Sequence, residues 1–141
     1  MELAMNVAAP QHLMPGTVVT VQMKGLLALA HHFALVTDRL GPDGCPMVIS
    51  NSGELGGPGE QSWSAFVKGR SYRRFYPSKL PPDTVLDNAY AMFGTRYHLL
   101  RWNCEHFANA CHGRPALSDQ IRGCLAFAAL IGCLTLVAAR T

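Results

Sequence analysis

The sequence predicts an α+β domain, in which a small antiparallel sheet packs on helices, followed by a hydrophobic C-terminal helix. The chain of 141 residues is long enough for one compact domain. Its strand-like segments follow one another with helical segments around them, without the regular strand–helix alternation of a parallel sheet. A stretch without charged residues occupies residues 123–139. These observations separate a folded domain from an apolar tail.

The composition excludes several functional classes. Apolar residues make up 49% of the chain and charged residues 15%, which is too apolar for a disordered protein. A net charge of +3 is far from the dense basic face of a nucleic-acid binder, so no nucleic-acid partner is expected. The five cysteines have no C-x-x-C spacing, which argues against a disulfide framework or a zinc knuckle and favours a reducing compartment.

Residues 1–14 are predicted to be a loose N-terminal lead-in, with order beginning at Pro15. They lack the basic start and apolar core of a secretory signal, so no export signal is expected. Residues 17–23 alternate in β-branched side chains and predict the first strand. Residues 31–37 and 46–51 predict two further strands, joined as a hairpin by turn-forming Gly, Pro and Asp-Gly.

The next segment, residues 52–60, holds four glycines and a proline and is predicted to be a mobile loop beside the substrate. A short helical turn at Trp63, Phe66 and Val67 is expected next, and then a strand over residues 71–76. Two helices follow. The first starts at the Pro81-Pro82-Asp83 sequence and ends at Gly94, and the second starts at Asn103 as its N-cap and ends at Gly113.

The apolar stretch lies between Arg122 and Arg140 and, as a helix, would span about 25 Å. One interpretation is a membrane anchor, and the alternative is a buried C-terminal helix of a soluble protein. A domain of about 100 residues has little room to bury a helix that is apolar on all sides. The sequence therefore favours the anchor.

Cys104 is the candidate nucleophile. At the first turn of a helix a thiol meets unpaired backbone N–H groups and the positive end of the helix dipole, which lower its pKa and favour the thiolate. The same N–H groups can hold the oxyanion that forms during attack on a carbonyl. Cys111, two turns further on, and Cys45, in a turn, lack both features.

A nucleophilic thiol needs a base, and six histidines are available. His106 follows Cys104 by two positions, so it points away on a helix and is expected to cap or anchor it. His31 and His32 remain, and alternation along a strand sends them to opposite faces, so one of them can face the helix. No metal site is expected, because cysteine and histidine two positions apart diverge on a helix.

The N-C-E-H-F sequence of residues 103–107 resembles the motif of the lecithin:retinol acyltransferase-like family, which includes the H-rev107-type phospholipase A/acyltransferases. Three other segments agree in order: the Pro15-Gly16 start of the first strand, residues 32–38 as the family's histidine strand, and Tyr97-x-Leu99 before the motif. Residues 118–122, ahead of the apolar tail, are similar to the family's C-terminal end.

The resemblance implies a circularly permuted papain-like fold of the NlpC/P60 kind, with a catalytic domain over residues 15–117 and a hydrophobic anchor helix over residues 118–141. It implies a thiol-dependent phospholipase A/acyltransferase, acting on glycerophospholipid esters without a cofactor. Cys104 would form an acyl-thioester, and His32 would be the general base. The expected partners are a phospholipid membrane, a donor phospholipid, and water, an amine or a lysolipid as acceptor.

The chain departs from many relatives in lacking a second histidine on the third strand. Ser50, or Asn51 with a shift of one residue, would then have to orient His32. Arg70, Arg73 and Arg74 belong to a basic stretch that could dock on anionic headgroups.

The expected location is a membrane, with the catalytic domain cytoplasmic and one C-terminal transmembrane or interfacial helix. Two other functions remain open: an NlpC/P60-type cysteine amidase or peptidase, and a catalytically silent membrane adaptor with the same fold.

Overall fold

The computed structural model describes residues 10–25 and 30–139, so the expectations for residues 1–9 and for Arg140 lie outside the described part. The strands are β1 (Val18–Gln22), β2 (His31–Leu40), β3 (Pro46–Ser52), β4 (Gly57–Gln61) and β5 (Tyr72–Phe75). The helices are α1 (Trp63–Val67), α2 (Pro82–Ala91), α3 (Cys104–Cys111) and α4 (Asp119–Ala138). Within the described ranges the strands form one antiparallel sheet in the order β4-β3-β2-β1-β5. The predicted α+β class is confirmed.

The sheet separates two apolar layers, because alternate residues of each strand point to opposite faces. On one face, Val19 and Val36 pack with Phe66 of α1. On the other face, Leu35 and Ile49 pack with side chains of α2 and α3, including Val85, Leu86, Phe107 and Cys111. The histidine strand therefore precedes the cysteine helix in the chain and is covered by it, as the resemblance implied.

The predicted hairpin is confirmed, with β2 paired to β3 at Leu35–Ile49 and Val36–Val48. The prediction of a mobile loop over residues 52–60 is wrong for its second half. There β4 pairs with β3 from Ser52–Gly57 to Val48–Gln61. A Cβ on Gly57 would collide with the carbonyl oxygen of Thr95, so glycine serves close packing at this position. Residues 53–56 form the turn that remains.

The expectation that order begins at Pro15 is also wrong. Pro10–His12 forms a 3₁₀ turn, and Leu13 is buried in the cluster that contains Val19 and Phe66. Burial of the Leu13 side chain against this cluster removes apolar surface from water. This free-energy gain holds the segment in place although prolines and a glycine flank it. The last residues of the lead-in thus belong to the packed domain.

Beyond its first turn, the C-terminal helix α4 extends away from the domain with its side chains exposed. Its mean hydropathy is 2.1 over an 18-residue window, of which no residue is buried. Leu125, Phe127 and Leu136 are each more than half exposed. The alternative of a buried C-terminal helix is therefore wrong, and α4 is long and apolar enough to cross a membrane.

Candidate active site

Cys104 is the first residue of α3, as predicted, and a reciprocal cap stabilises this helix end. The Asn103 side-chain oxygen accepts hydrogen bonds from the N–H groups of Glu105 at 3.0 Å and His106 at 3.2 Å. The Asn103 N–H donates to His106 Nδ1 at 3.1 Å. The expected capping role of His106 is confirmed, and this arrangement directs its ring away from the reacting sulfur.

Cys104 and His32 line the same cavity, which has a volume of about 350 Å³. The cavity lies where the first residues of β2 meet the start of α3. The other residues that line it are Met23, Lys24, Asn51, Ser52, Gly53, Glu54, Lys68, Arg70 and Tyr97. His31 contributes its backbone instead, since its carbonyl oxygen lies 4.0 Å from Cys104 Sγ. Of the two histidines, His32 is the one that lines the cavity. Its ring packs against Phe66 on the α1 face of the sheet, so the expectation that alternation would place the base on the face covered by α3 is not met.

The expectation that the helix start lowers the Cys104 pKa is wrong for the free protein. Burial raises the pKa of this thiol to about 11, and the N–H of Phe33, which favours the thiolate, offsets only part of this effect. The backbone N–H groups of Glu105 and Cys104 also favour the thiolate, but the negative charge of the Glu105 carboxylate opposes them, so the helix end does not overcome the effect of burial on the pKa. At pH 7 the resting sulfur is a neutral thiol.

His32 is uncharged at the same pH. Burial lowers the pKa of its imidazole to about 4, with further lowering by the positive charges of Arg70 and Lys68, while Glu54 opposes them. The imidazole ring packs against Phe66, with ring centroids 5.3 Å apart. A neutral imidazole is a proton acceptor, so the resting pair is thiol and base rather than thiolate and imidazolium.

This protonation state predicts the pH dependence of Cys104 alkylation in the free protein. Only the thiolate reacts, so with a pKa raised to about 11 the iodoacetamide rate will increase about tenfold per pH unit from pH 7 to 10, without a plateau. Mass spectrometry of the Cys104 peptide measures the rate, with glutathione as the control thiol. A plateau at or below pH 7 would show instead a preformed thiolate.

The third strand places Asn51, and not Ser50, at the cavity. The hydroxyl of Ser50 accepts a hydrogen bond from Gln61 Nε2 at 3.1 Å on the other side of β3. Asn51 is fully buried, and its Nδ2 donates to the carbonyl oxygens of Trp102 at 2.8 Å and Asn103 at 3.2 Å. Its Oδ1 is buried without a hydrogen-bond partner in the described part of the chain. This oxygen is free to accept a proton donor.

Of the three predicted basic residues, Arg70 alone lines the cavity, whereas Arg73 and Arg74 are exposed on β5. Three backbone carbonyls hold the Arg70 guanidinium at 2.8 Å each, those of Val67, Gln22 and Phe66. Neither Arg70 nor Lys68 forms an ion pair with a carboxylate of the described residues. The cavity therefore carries a fixed cation that forms no ion pair, although the Glu54 carboxylate lines the same cavity.

Lys68 belongs to the predicted basic stretch, and Ser52, Gly53 and Glu54 belong to the glycine-rich segment that was expected beside the substrate. Sequence reasoning missed Lys24, which follows β1 and carries no local signal for the cavity. Among residues 10–25 and 30–139, no group of three or more His, Cys, Asp or Glu side chains is placed to hold a metal ion.

Comparison with known proteins gives one family match. The family model described as lecithin retinol acyltransferase matches residues 55–115, which is somewhat less than half of the chain and includes Cys104 but not His32. No curated protein and no solved structure matches the chain. The match supports an enzyme of the acyltransferase or phospholipase type with a lipid substrate. Together with the N-C-E-H-F sequence at the start of α3 and the observed α+β fold, the match supports the resemblance of the chain to the lecithin retinol acyltransferase-like family.

Proposed function

We propose that the chain is a membrane-tethered, thiol-dependent phospholipase A/acyltransferase that acts on glycerophospholipid acyl esters. The observation that carries this proposal is the cavity that Cys104, His32 and the unpaired Arg70 line together. Attack on an ester that lies beside a phosphate requires a nucleophile, a base and a positive charge that binds the phosphate. The cavity brings these three groups together.

In the proposed reaction, Cys104 Sγ attacks the ester carbonyl carbon while His32 takes the thiol proton. The tetrahedral oxyanion then collapses and the C–O bond to glycerol breaks. His32 returns the proton to the departing alkoxide, which leaves as a lysophospholipid, and the acyl group stays on Cys104 as a thioester. Water, an amine or a lysolipid then attacks the thioester while His32 takes its proton, the C–S bond breaks, and His32 returns the proton to the Cys104 thiolate. The products are a fatty acid or a new acyl ester or amide.

We propose Asn51, rather than Ser50, as the residue that orients His32. Asn51 and His32 belong to opposite faces of the sheet but line the same cavity, and the buried Oδ1 of Asn51 has no partner in the described structure. This oxygen is proposed to accept from the imidazole N–H, as an amide oxygen does in papain-like triads. The two bonds from Nδ2 to Trp102 and Asn103 hold the amide in one orientation. The N–H groups of Phe33, Glu105 and Cys104, which lie near the Cys104 sulfur, are the proposed donors to the oxyanion.

We propose that Arg70 and Lys68 receive the phosphodiester of the lipid. A bound anion would offset the two positive charges that lower the pKa of His32, so the imidazole becomes a stronger base when substrate is present. Exposed Arg73 and Arg74 lie outside this cavity and are proposed to contact the membrane surface.

Arg70→Gln should raise KM about tenfold for monomeric dihexanoyl phosphatidylcholine, because one charge-assisted contact to phosphate is lost. We expect a smaller change in kcat. Arg114→Gln, which removes an exposed arginine at the opposite end of α3, is the matched control and should leave both constants unchanged. Equal effects of the two substitutions would contradict a phosphate contact at Arg70.

We further propose that residues 15–117 form the catalytic domain, that α4 anchors it in a membrane, and that the domain lies on the cytoplasmic side. The proposal for α4 is supported by its exposed apolar surface, which water solvates poorly. Asp119 and Arg122, an ion pair at 3.7 Å, remain at the polar end of the helix.

Incubation of the full chain with phosphatidylcholine vesicles tests the proposed function. Mass spectrometry should detect free fatty acid and lysophospholipid, and N-acylated product when an amine phospholipid is added. Turnover of dipeptides but not of lipids would favour an amidase. No turnover of either, together with no selective labelling of Cys104 by thiol reagents, would favour a silent adaptor.

A further inference from the structure

The residue that follows the nucleophile is bonded to the start of the apolar helix. The Glu105 carboxylate accepts hydrogen bonds from Ser118 Oγ at 2.6 Å, from the Asp119 N–H at 3.1 Å and from the Gln120 N–H at 3.3 Å. Glu105 is buried and forms no ion pair within the described residues. Its negative charge sits at the N-terminus of α4, where free N–H groups and the helix dipole stabilise an anion.

Gln120 connects this carboxylate to the histidine strand. Its Nε2 donates to Glu105 Oε2 at 3.3 Å and to the His31 carbonyl oxygen at 3.1 Å, and its Oε1 accepts from the His31 N–H at 2.6 Å. The side-chain amide thus satisfies both backbone groups of His31, as a neighbouring strand would. On its other edge, His31 is paired with Gln22 of β1.

The same His31 carbonyl lies 4.0 Å from Cys104 Sγ, and the next residue, His32, lines the cavity. Glu105, Ser118 and Gln120, which we call the clasp, therefore join the nucleophile's helix, the base's strand and the first turn of α4. No other hydrogen bond within the described residues joins α4 to β2.

We propose that Glu105 and Gln120 are positioning residues, whose clasp sets the distance between the Cys104 sulfur and the His32 imidazole. This inference rests on the proposed function and extends it: the docked first turn of α4 is part of the support of the active site, in addition to being a tether. A change in how α4 enters the domain would then alter catalysis directly, even toward a substrate that needs no membrane.

The test uses the full chain in detergent micelles with monomeric dihexanoyl phosphatidylcholine, so that membrane targeting plays no part. Gln120→Leu should lower kcat at least about tenfold with KM within about twofold, because a small misplacement of the base slows the chemical step more than binding. The matched control is Asn109→Ala. Asn109 Nδ2 donates to the Leu117 carbonyl oxygen at 2.8 Å and so also binds the segment between α3 and α4. It has no hydrogen bond to His31, so kcat should be retained.

Hydrogen exchange, followed by mass spectrometry, provides a readout independent of activity. The peptide that contains the His31 amide should exchange at least about tenfold faster in Gln120→Leu than in the wild type, and at the wild-type rate in Asn109→Ala. Gln120→Glu keeps the size of the side chain but cannot donate to the His31 carbonyl, so it should reproduce the loss of kcat if Gln120→Leu fails to fold. Glu105→Gln, which keeps an acceptor for Ser118, should lose less activity than Glu105→Leu.

An unchanged kcat in both Gln120 variants would overturn the proposal, whatever the exchange rates. Equal losses in Gln120→Leu and Asn109→Ala would also overturn it, since they would indicate a general loosening of the connection. If the wild type has no acyl activity, the proposed function fails. In that case the exchange data still test whether the clasp holds β2. Slow exchange of the His31 amide in the wild type and faster exchange in Gln120→Leu would support the clasp, and equal exchange rates would overturn it.

Discussion

Cys104→Ala will abolish release of fatty acid and lysophospholipid from phosphatidylcholine vesicles, with a loss of about 10⁴-fold or more. The substitution removes the sulfur that would carry the acyl group, and no second cysteine lines the cavity in the described structure. In the wild type, mass spectrometry of rapidly quenched reactions should show an acyl group on the Cys104 peptide. Hydroxylamine should remove this group, as expected for a thioester.

Cys45→Ser is the matched control, because it replaces a partly exposed thiol in the turn before β3, far from the cavity. Its activity and its acyl-enzyme signal should equal those of the wild type. Residual turnover by Cys104→Ala that is comparable with the wild type, or an acyl group on another cysteine, would contradict the proposed nucleophile.

His32→Ala will lower kcat about 10²- to 10⁴-fold, the usual contribution of a positioned general base. His31→Ala should change kcat by less than about threefold, since His31 serves the site through its backbone N–H and carbonyl groups, which alanine retains. Adjacent histidines of one strand are thus expected to differ by at least about tenfold. Steady-state kinetics on dihexanoyl phosphatidylcholine measures the difference.

Because His32 packs against Phe66, His32→Gln serves as a second variant that keeps more of the buried volume. Thermal melting should place both His32 variants within a few degrees of the wild type, which separates loss of the base from loss of fold. Equal losses of kcat for His31→Ala and His32→Ala, or a larger loss for His31→Ala, would contradict the assignment of His32 as the base.

Local signals predicted most of the secondary structure. The N-cap Asn103, the His106 cap and the turn residues between β2 and β3 act over a few positions, so they are readable along the chain. For the glycine-rich segment, the prediction of a loop was wrong in its second half, which forms β4. Its composition indicates freedom of the backbone, while Gly57 is present because Thr95, from a distant segment, leaves no room for a side chain.

The sequence predicted the positions of the candidate site residues better than their electrostatics. Cys104 begins a helix, as its spacing from Asn103 predicted, and His32, which the resemblance suggested, lines a cavity together with it. The pKa values of these residues follow from burial, which depends on how β2, α1 and α3 enclose them. Helix position by itself predicted the opposite direction for the thiol.

By itself, the sequence determined the α+β class, the order of the histidine strand and the cysteine helix, the capped nucleophile and the apolar tail, because periodicity and capping depend on near neighbours. Only the tertiary structure placed Asn51 rather than Ser50 at the cavity, brought Arg70 to it, and joined Gln120 to His31 across 89 positions of the chain. Desolvation and hydrogen-bond satisfaction are properties of what surrounds an atom, and those surroundings come together only when distant segments pack.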